Sequence, residues 1–175
     1  TVGGNAESIV LSNQLSEDCH FCWTEKFPAD KISLNPGAKG TISVNDGSIY
    51  SADGKKLIYA RMQNGAFAIP EGVEVIGKNA FEADTVRQLS FPGSLRKIEA
   101  GALRNYGEDE LILPDFVTDI DEKAFQKSQK VFYESDHTVN INPQYGQYVK
   151  EQEEARKREQ LARAEAERQE RVRQA

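Results

Sequence analysis

The chain has 175 residues, of which 38% are hydrophobic and 29% charged, and a formal net charge of −6 at pH 7. That length allows one domain, or one small domain with an appendage, and the modest apolar share confines any core to part of the chain. The acidic balance argues against a nucleic-acid partner, and no run of about eighteen apolar residues offers a helical membrane span.

No basic region followed by an apolar stretch opens the chain, so no signal peptide is expected within it. Residues 1–40 are taken as an N-terminal segment of their own. Ser8-Ile-Val-Leu11 and Lys31-Ile-Ser-Leu34 read as short strands, and Asn35-Pro-Gly37 as a turn. Between them lies Cys19-His-Phe-Cys-Trp23, the conspicuous chemical motif of the sequence. A thioredoxin-like dithiol needs a strand before it and a helix after it, which this segment does not suggest. A structural zinc needs four ligands; Cys19, Cys22 and His20 supply three at most, and His137 is remote. Covalent haem needs histidine directly after the second cysteine, where Trp23 stands. The favoured reading is a disulfide or a pair of structural thiols at Cys19 and Cys22, with metal and redox chemistry as the alternatives. No metal site, cofactor or catalytic residue is assigned.

Next come Gly40-Thr-Ile-Ser-Val44, Ser48-Ile-Tyr50 and Lys56-Leu-Ile-Tyr59, separated by Asn45-Asp-Gly47 and Asp53-Gly54. Asp-Gly between apolar pairs predicts hairpins, because the favoured two-residue turn needs positive φ at both central positions. Residues 41–62 are therefore read as hairpin structure covering the first unit of a repeat.

The repeat itself begins at Phe67. Phe67-Ala-Ile-Pro70, Leu89-Ser-Phe-Pro92 and Leu111-Ile-Leu-Pro114 each lead, at matching offsets, into Val73 and Ile76, Leu95 and Ile98, or Val117 and Ile120. Each unit then closes on Ala80-Phe81, Ala102-Leu103 or Ala124-Phe125. The spacing is 22 residues throughout. Self-similarity at such a period marks a solenoid, whose units bury their apolar faces only by stacking on one another. Phe67, Leu89 and Leu111, with Ile69, Phe91 and Leu113, point inward from a short strand that the proline ends. Alanine recurs where a tight corner admits only a small side chain. Val131-Phe-Tyr133 opens a fourth coil that does not complete, as a capping end should.

From about Asn142 the composition changes. Asn142-Pro143 is an N-cap followed by proline at the first helical position. Lys150 to Ala175 holds fifteen charged residues in 26, without proline or glycine. Glu153/Lys157, Glu154/Arg158, Glu159/Arg163 and Glu167/Arg171 place an acid four residues before a base, which favours one continuous helix. Tyr148, Ala155 and Ala162 keep a spacing of seven that Gln169 breaks, so no coiled-coil seam is legible. The oligomeric state is left open, with a monomer as the working expectation.

The string Ile69-Pro-Glu-Gly-Val73-x-x-Ile76-Gly77-x-x-Ala80-Phe81 resembles the leucine-rich repeats of the BspA-like type, also known from Treponema surface proteins. Asp46-Gly-Ser-Ile-Tyr50 with Asp53-Gly-Lys-Lys-Leu57 is similar to the hairpin that precedes such repeats. The resemblance covers residues 45 to 135. Repeat two departs with Leu103 for phenylalanine and Glu99 for the glycine after isoleucine, and repeat three has Asp121 there. It implies a right-handed solenoid of secreted or surface proteins, often associated with adhesion, and transfers no catalytic residue.

The predicted fold is thus a β-rich α/β solenoid: a short leucine-rich-repeat array at 41–142 with an N-terminal hairpin cap, and a long charged helix at 143–175. The outward positions of the repeat strands, Ala68, Ser90, Ile112 and Glu134, form the candidate binding face, weighed against a merely solvated sheet. Tyr106, in Arg104-Asn-Tyr-Gly107 between repeats two and three, is a candidate anchor if exposed. The expected function is a non-enzymatic module binding a protein or glycan outside a bacterial cell, at its surface or in its periplasm. Two alternatives stand beside it: a structural adaptor whose helix is a spacer, and, more weakly, a thiol oxidoreductase.

Overall fold

The computed structural model describes residues 9–12, 32–34, 40–62, 64–81 and 85–174. Strands β1 (Ile9–Leu11) and β2 (Ile32–Leu34) pair in parallel, Ile9 opposite Ile32. Cys19 and Cys22 lie outside the described residues.

Strands β3 (Ile42–Asn45), β4 (Ser48–Ser51) and β5 (Lys56–Tyr59) form an antiparallel meander. Asp46 and Gly47 adopt φ of 49° and 75°, the left-handed pair that matches hairpin twist. At the second turn the Asp53 carboxylate accepts from the Ser51 hydroxyl at 2.6 Å and the Lys55 backbone N–H at 3.0 Å. The first two coils comprise β6 (Ala66–Ala68), β7 (Val75–Ile76), β8 (Gln88–Ser90) and β9 (Lys97–Ile98). The third supplies β10 (Glu110–Leu113) and β11 (Asp119–Ile120), and β12 (Lys130–Tyr133) opens the fourth. Helix α1 (Tyr145–Gln174) ends the described chain.

Each coil therefore donates one strand to each of two walls. One wall is a six-stranded sheet in the order β11-β9-β7-β5-β4-β3, so the meander covers the first coil by extending its sheet. Leu57, Ile76, Ile98 and Ile120 stand in register across it. The first three are fully buried, and Ile120 is half-buried at the open edge. The other wall is split into β6-β8 and β10-β12. Between its halves the parallel bridge Val86–Tyr106 joins the coils.

The core is built from repeat positions stacked on themselves. Val73, Leu95 and Val117 are buried, as are Phe81, Leu103 and Phe125. Phe67 meets the edge of Phe81 with ring centroids 5.4 Å apart. Ala80, Ala102 and Ala124 are all 0% exposed, and backbone bonds run past them from coil to coil. Ala60 N–H donates to the Ala80 carbonyl at 2.8 Å and Leu103 N–H to that of Ala124 at 2.9 Å. A larger side chain at this corner has no space to enter, which is why alanine recurs.

The position after the repeat isoleucine shows why the repeats differ. A Cβ on Gly77 would meet the Leu57 carbonyl at 2.7 Å, because the first coil lies tight against β5. In the second coil Glu99 occupies that position and reaches back. It pairs with Lys56 at 3.1 Å, with side chains only 24% and 16% exposed, and accepts from Lys78 N–H at 3.0 Å. Lys97–Asp119 and Lys130–Glu110 link successive coils, and Lys55–Glu74 ties the meander to the first, all at 2.8–3.1 Å.

The far end is closed by Asn140-Ile141-Asn142. Ile141 packs on the core, and its N–H donates to the Val131 carbonyl at 2.8 Å. The buried Asn142 amide donates to the Gln126 and Gln129 carbonyls, both at 2.8 Å, while its side-chain oxygen accepts from Gln144 N–H at 3.2 Å. One residue thus clamps the last coil and caps the helix it launches. Beyond this base α1 has no buried residue over its 30 positions. Arg158–Glu154 and Arg163–Glu159 form the expected one-turn ion pairs, at 3.6 and 2.7 Å.

Candidate binding face of the solenoid

The split wall presents the outward positions singled out in the sequence. Ala68 and Ser90 stand opposite each other in the β6–β8 register, and both are exposed. Ile112 is half-buried on β10, across the split. Its partner in β12 is Phe132, not Glu134. The register between these strands is 20 residues where β6–β8 has 22, because the stretch from Phe125 to Val131 is shorter than the corresponding one before Leu111. A 22-residue count therefore overshoots, and Glu134 lies past the strand end, exposed, with its N–H on the Leu113 carbonyl at 3.0 Å. Tyr106 is half-buried and packed against the core. Burial, followed by the nearby Glu108 carboxylate, raises its phenol above the ordinary tyrosine value.

Ala68 and Ser90 belong to a groove of about 390 Å³ whose other wall comes from the hairpin. Tyr50, Asp46 and Arg61 line it together with Gln88. Tyr50 is buried, and this desolvation is the main cause of its raised phenol pKa; the Ser48 hydroxyl acts against it and Asp46 with it. Ser48 itself is buried and accepts from Arg61 N–H at 3.0 Å, which fixes the backbone from which the arginine springs. Among the described residues the Arg61 guanidinium has no ion-pair or hydrogen-bond partner, and the residue lines the groove. The groove offers a carboxylate-binding cation, amide and hydroxyl donors, and a small apolar floor. Sequence reading missed Arg61, Tyr50 and Gln88. The available signal was a lone charge inside Leu57-Ile-Tyr-Ala-Arg-Met62, an apolar run that otherwise builds core. No group of three or more His, Cys, Asp or Glu among the described residues is placed to hold a metal ion. No described helix is long and apolar enough to cross a membrane.

A stack of short coils walled by parallel strands and closed at both ends is a β-solenoid repeat module. The family model described as BspA type leucine rich repeat region (6 copies) matches residues 55–142, half of the chain, and the chain belongs to that family. No curated protein matches the sequence. Among solved structures, the crystal structure of the pneumococcal vaccine antigen PcpA is similar, with 26% identity and a TM-score of 0.44. That match covers 63% of this chain and 34% of the other, so this chain spans about a third of its length.

Proposed function

We propose that this chain is a non-enzymatic binding module of a secreted or surface protein of a bacterium, with adhesion-type recognition of a protein by the β6–β8 face. The observation that carries the reading is the groove joining the repeat strands to the hairpin, where Arg61, which forms no ion pair among the described residues, stands beside exposed Ala68 and Ser90. Solenoids of this family spend their inward residues on stacking, which leaves such outward positions free to recognise a partner. A guanidinium held on a fixed backbone suits a carboxylate of that partner.

The test is saturable binding of the full chain to immobilised extracellular-matrix proteins, mucins and glycans, beside an A68R/S90R chain and an R61A chain. Binding to a protein that both variants lose supports the reading. Binding that both retain removes the face from consideration, and capture by glycans alone changes the ligand class. No binding at all favours a second reading, a structural adaptor whose helix holds neighbouring parts of a longer protein apart. That reading has its own support, because a 30-residue helix with no buried position is a stiff spacer of roughly 45 Å.

A further inference from the structure

A second cavity, of about 500 Å³, lies at the opposite end of the array, between the loops that precede β10 and β12 and the first turn of α1. Three tyrosines line it: Tyr106 from the loop before β10, and Tyr145 and Tyr148 from the start of α1. Tyr145 and Tyr148 have ring centroids 6.2 Å apart, tilted by 39°, so they stand as two splayed plates and not as one stack. All three are half-buried, leaving part of each ring open to a guest.

The charged groups of the lining are unbalanced. Lys130 is taken up by Glu110 at 3.1 Å. Glu108 and Asp109, which also line the cavity, form no ion pair among the described residues. The Gln129 amide, buried, donates to the Glu108 backbone carbonyl at 2.8 Å and so fixes the loop that carries both carboxylates. The result is a rigid cleft with aromatic faces and a net negative charge. Aromatic faces attract organic cations through the ring quadrupole, and the net negative charge of the cleft reinforces that choice.

We infer that this tyrosine cleft takes the basic side chain, arginine or lysine, of a partner protein segment. The site stands apart from the β6–β8 groove and does not depend on it, so the A68R/S90R chain keeps it.

The test is a nuclear magnetic resonance titration of the full chain with the peptide acetyl-Gly-Arg-Gly-amide, and with its citrulline counterpart, which keeps the shape and removes the charge. The expected result is saturable shifts of the Tyr106, Tyr145 and Tyr148 ring signals with the arginine peptide and at least tenfold weaker binding of the citrulline peptide. An E108Q/D109N chain, whose substituted groups are exposed, should bind the arginine peptide at least tenfold more weakly with an unchanged circular dichroism spectrum. A Y148A chain should do the same, which separates the aromatic contribution from the charge. Equal binding of both peptides overturns the inference. So do shifts confined to the carboxylates of the outer helix, and so does saturation of the same ring signals by a neutral oligosaccharide.

Discussion

Asn142→Ala tests the junction between solenoid and helix, because that single amide serves both. Its loss strips the donor from the Gln129 carbonyl, in a residue only 4% exposed. Leaving a buried acceptor unpaired costs about 1–3 kcal/mol. The Gln126 residue is exposed, and its carbonyl can rehydrate, so that bond contributes about 0.5–1 kcal/mol. Loss of the cap adds about 1 kcal/mol. Together the change should destabilise the chain by roughly 3 kcal/mol, or about 10–20 °C in melting temperature for a domain near a hundred residues. Asn142→Asp separates the two roles. It keeps the oxygen that accepts from Gln144 N–H, and a charge favoured at a helix start, but it loses both donors and sets a carboxylate against two carbonyls. If the clamp dominates, as the burial indicates, N142D is at least as unstable as N142A. Urea denaturation followed by circular dichroism measures both. A N142D chain as stable as the parent would refute the clamp and leave only a helix cap.

Gly77→Ala should cost stability out of proportion to one methyl group, because the new Cβ meets backbone at 2.7 Å; exposed Gly93, whose Cβ would meet nothing within 4 Å, is the control. Equal midpoints for the two variants would sink that account of the first repeat. Ala102→Leu should destabilise by about 1–3 kcal/mol through overpacking at the coil corner, read from the denaturation midpoint. Stability should fall towards both extremes of pH. Asp53 and Asp136 are held below the ordinary carboxylate value, chiefly by hydrogen bonds from the Ser51 and Thr138 hydroxyls. Their contribution is present above about pH 4 and is lost as pH falls through the lowered values. Lys55, Lys97 and Lys130 are raised, chiefly by their hydrogen-bonded carboxylate partners, so theirs is present below about pH 10 and lost as pH climbs beyond. A melting temperature that rises as pH falls below about 4, or as it climbs past about 10, would contradict this assignment.

The solenoid was legible because its chemistry repeats: proline, isoleucine and alanine recur at one spacing, and each does the same steric task in every coil. The hairpin was legible because positive φ restricts composition, and Asp46-Gly47 meets that restriction. Harder to read was the six-stranded wall. Its repeat strands, such as Val75–Ile76, are two residues long, too short for the alternation that marks a strand. The fourth strand was legible at Val131-Phe-Tyr133, but its outward position was misread as Glu134, because nothing there announces that the preceding stretch is two residues shorter. Arg61 and the tyrosine cleft were hidden for another reason. Neither belongs to the repeat pattern, and Tyr106 meets Tyr145 and Tyr148 only when its loop and the helix are folded together.

Both candidate sites fall where the repeat is interrupted, and the physics of stacking explains why. Inside the array each position faces its counterpart in the next coil, so a large or charged outward group at one rung must be accommodated by its neighbours. The lysine–carboxylate pairs between coils show the usual outcome, in which charges on adjacent rungs neutralise each other and offer little to a ligand. At the hairpin junction the next rung is not a repeat, and Arg61 has no ion-pair partner among the described residues. At the far end, beside the shortened stretch before β12 and the helix base, Glu108 and Asp109 form no ion pair among the described residues and stand by three half-buried rings. On the two proposals made above, recognition in so short an array would belong to its two ends, where the bonding potential that stacking would consume remains available. Lengthening the array by a copied coil between repeats one and two should then raise stability while leaving the tyrosine cleft's affinity for the arginine peptide unchanged, and a change in that affinity would show that the cleft depends on the coils and not on the end.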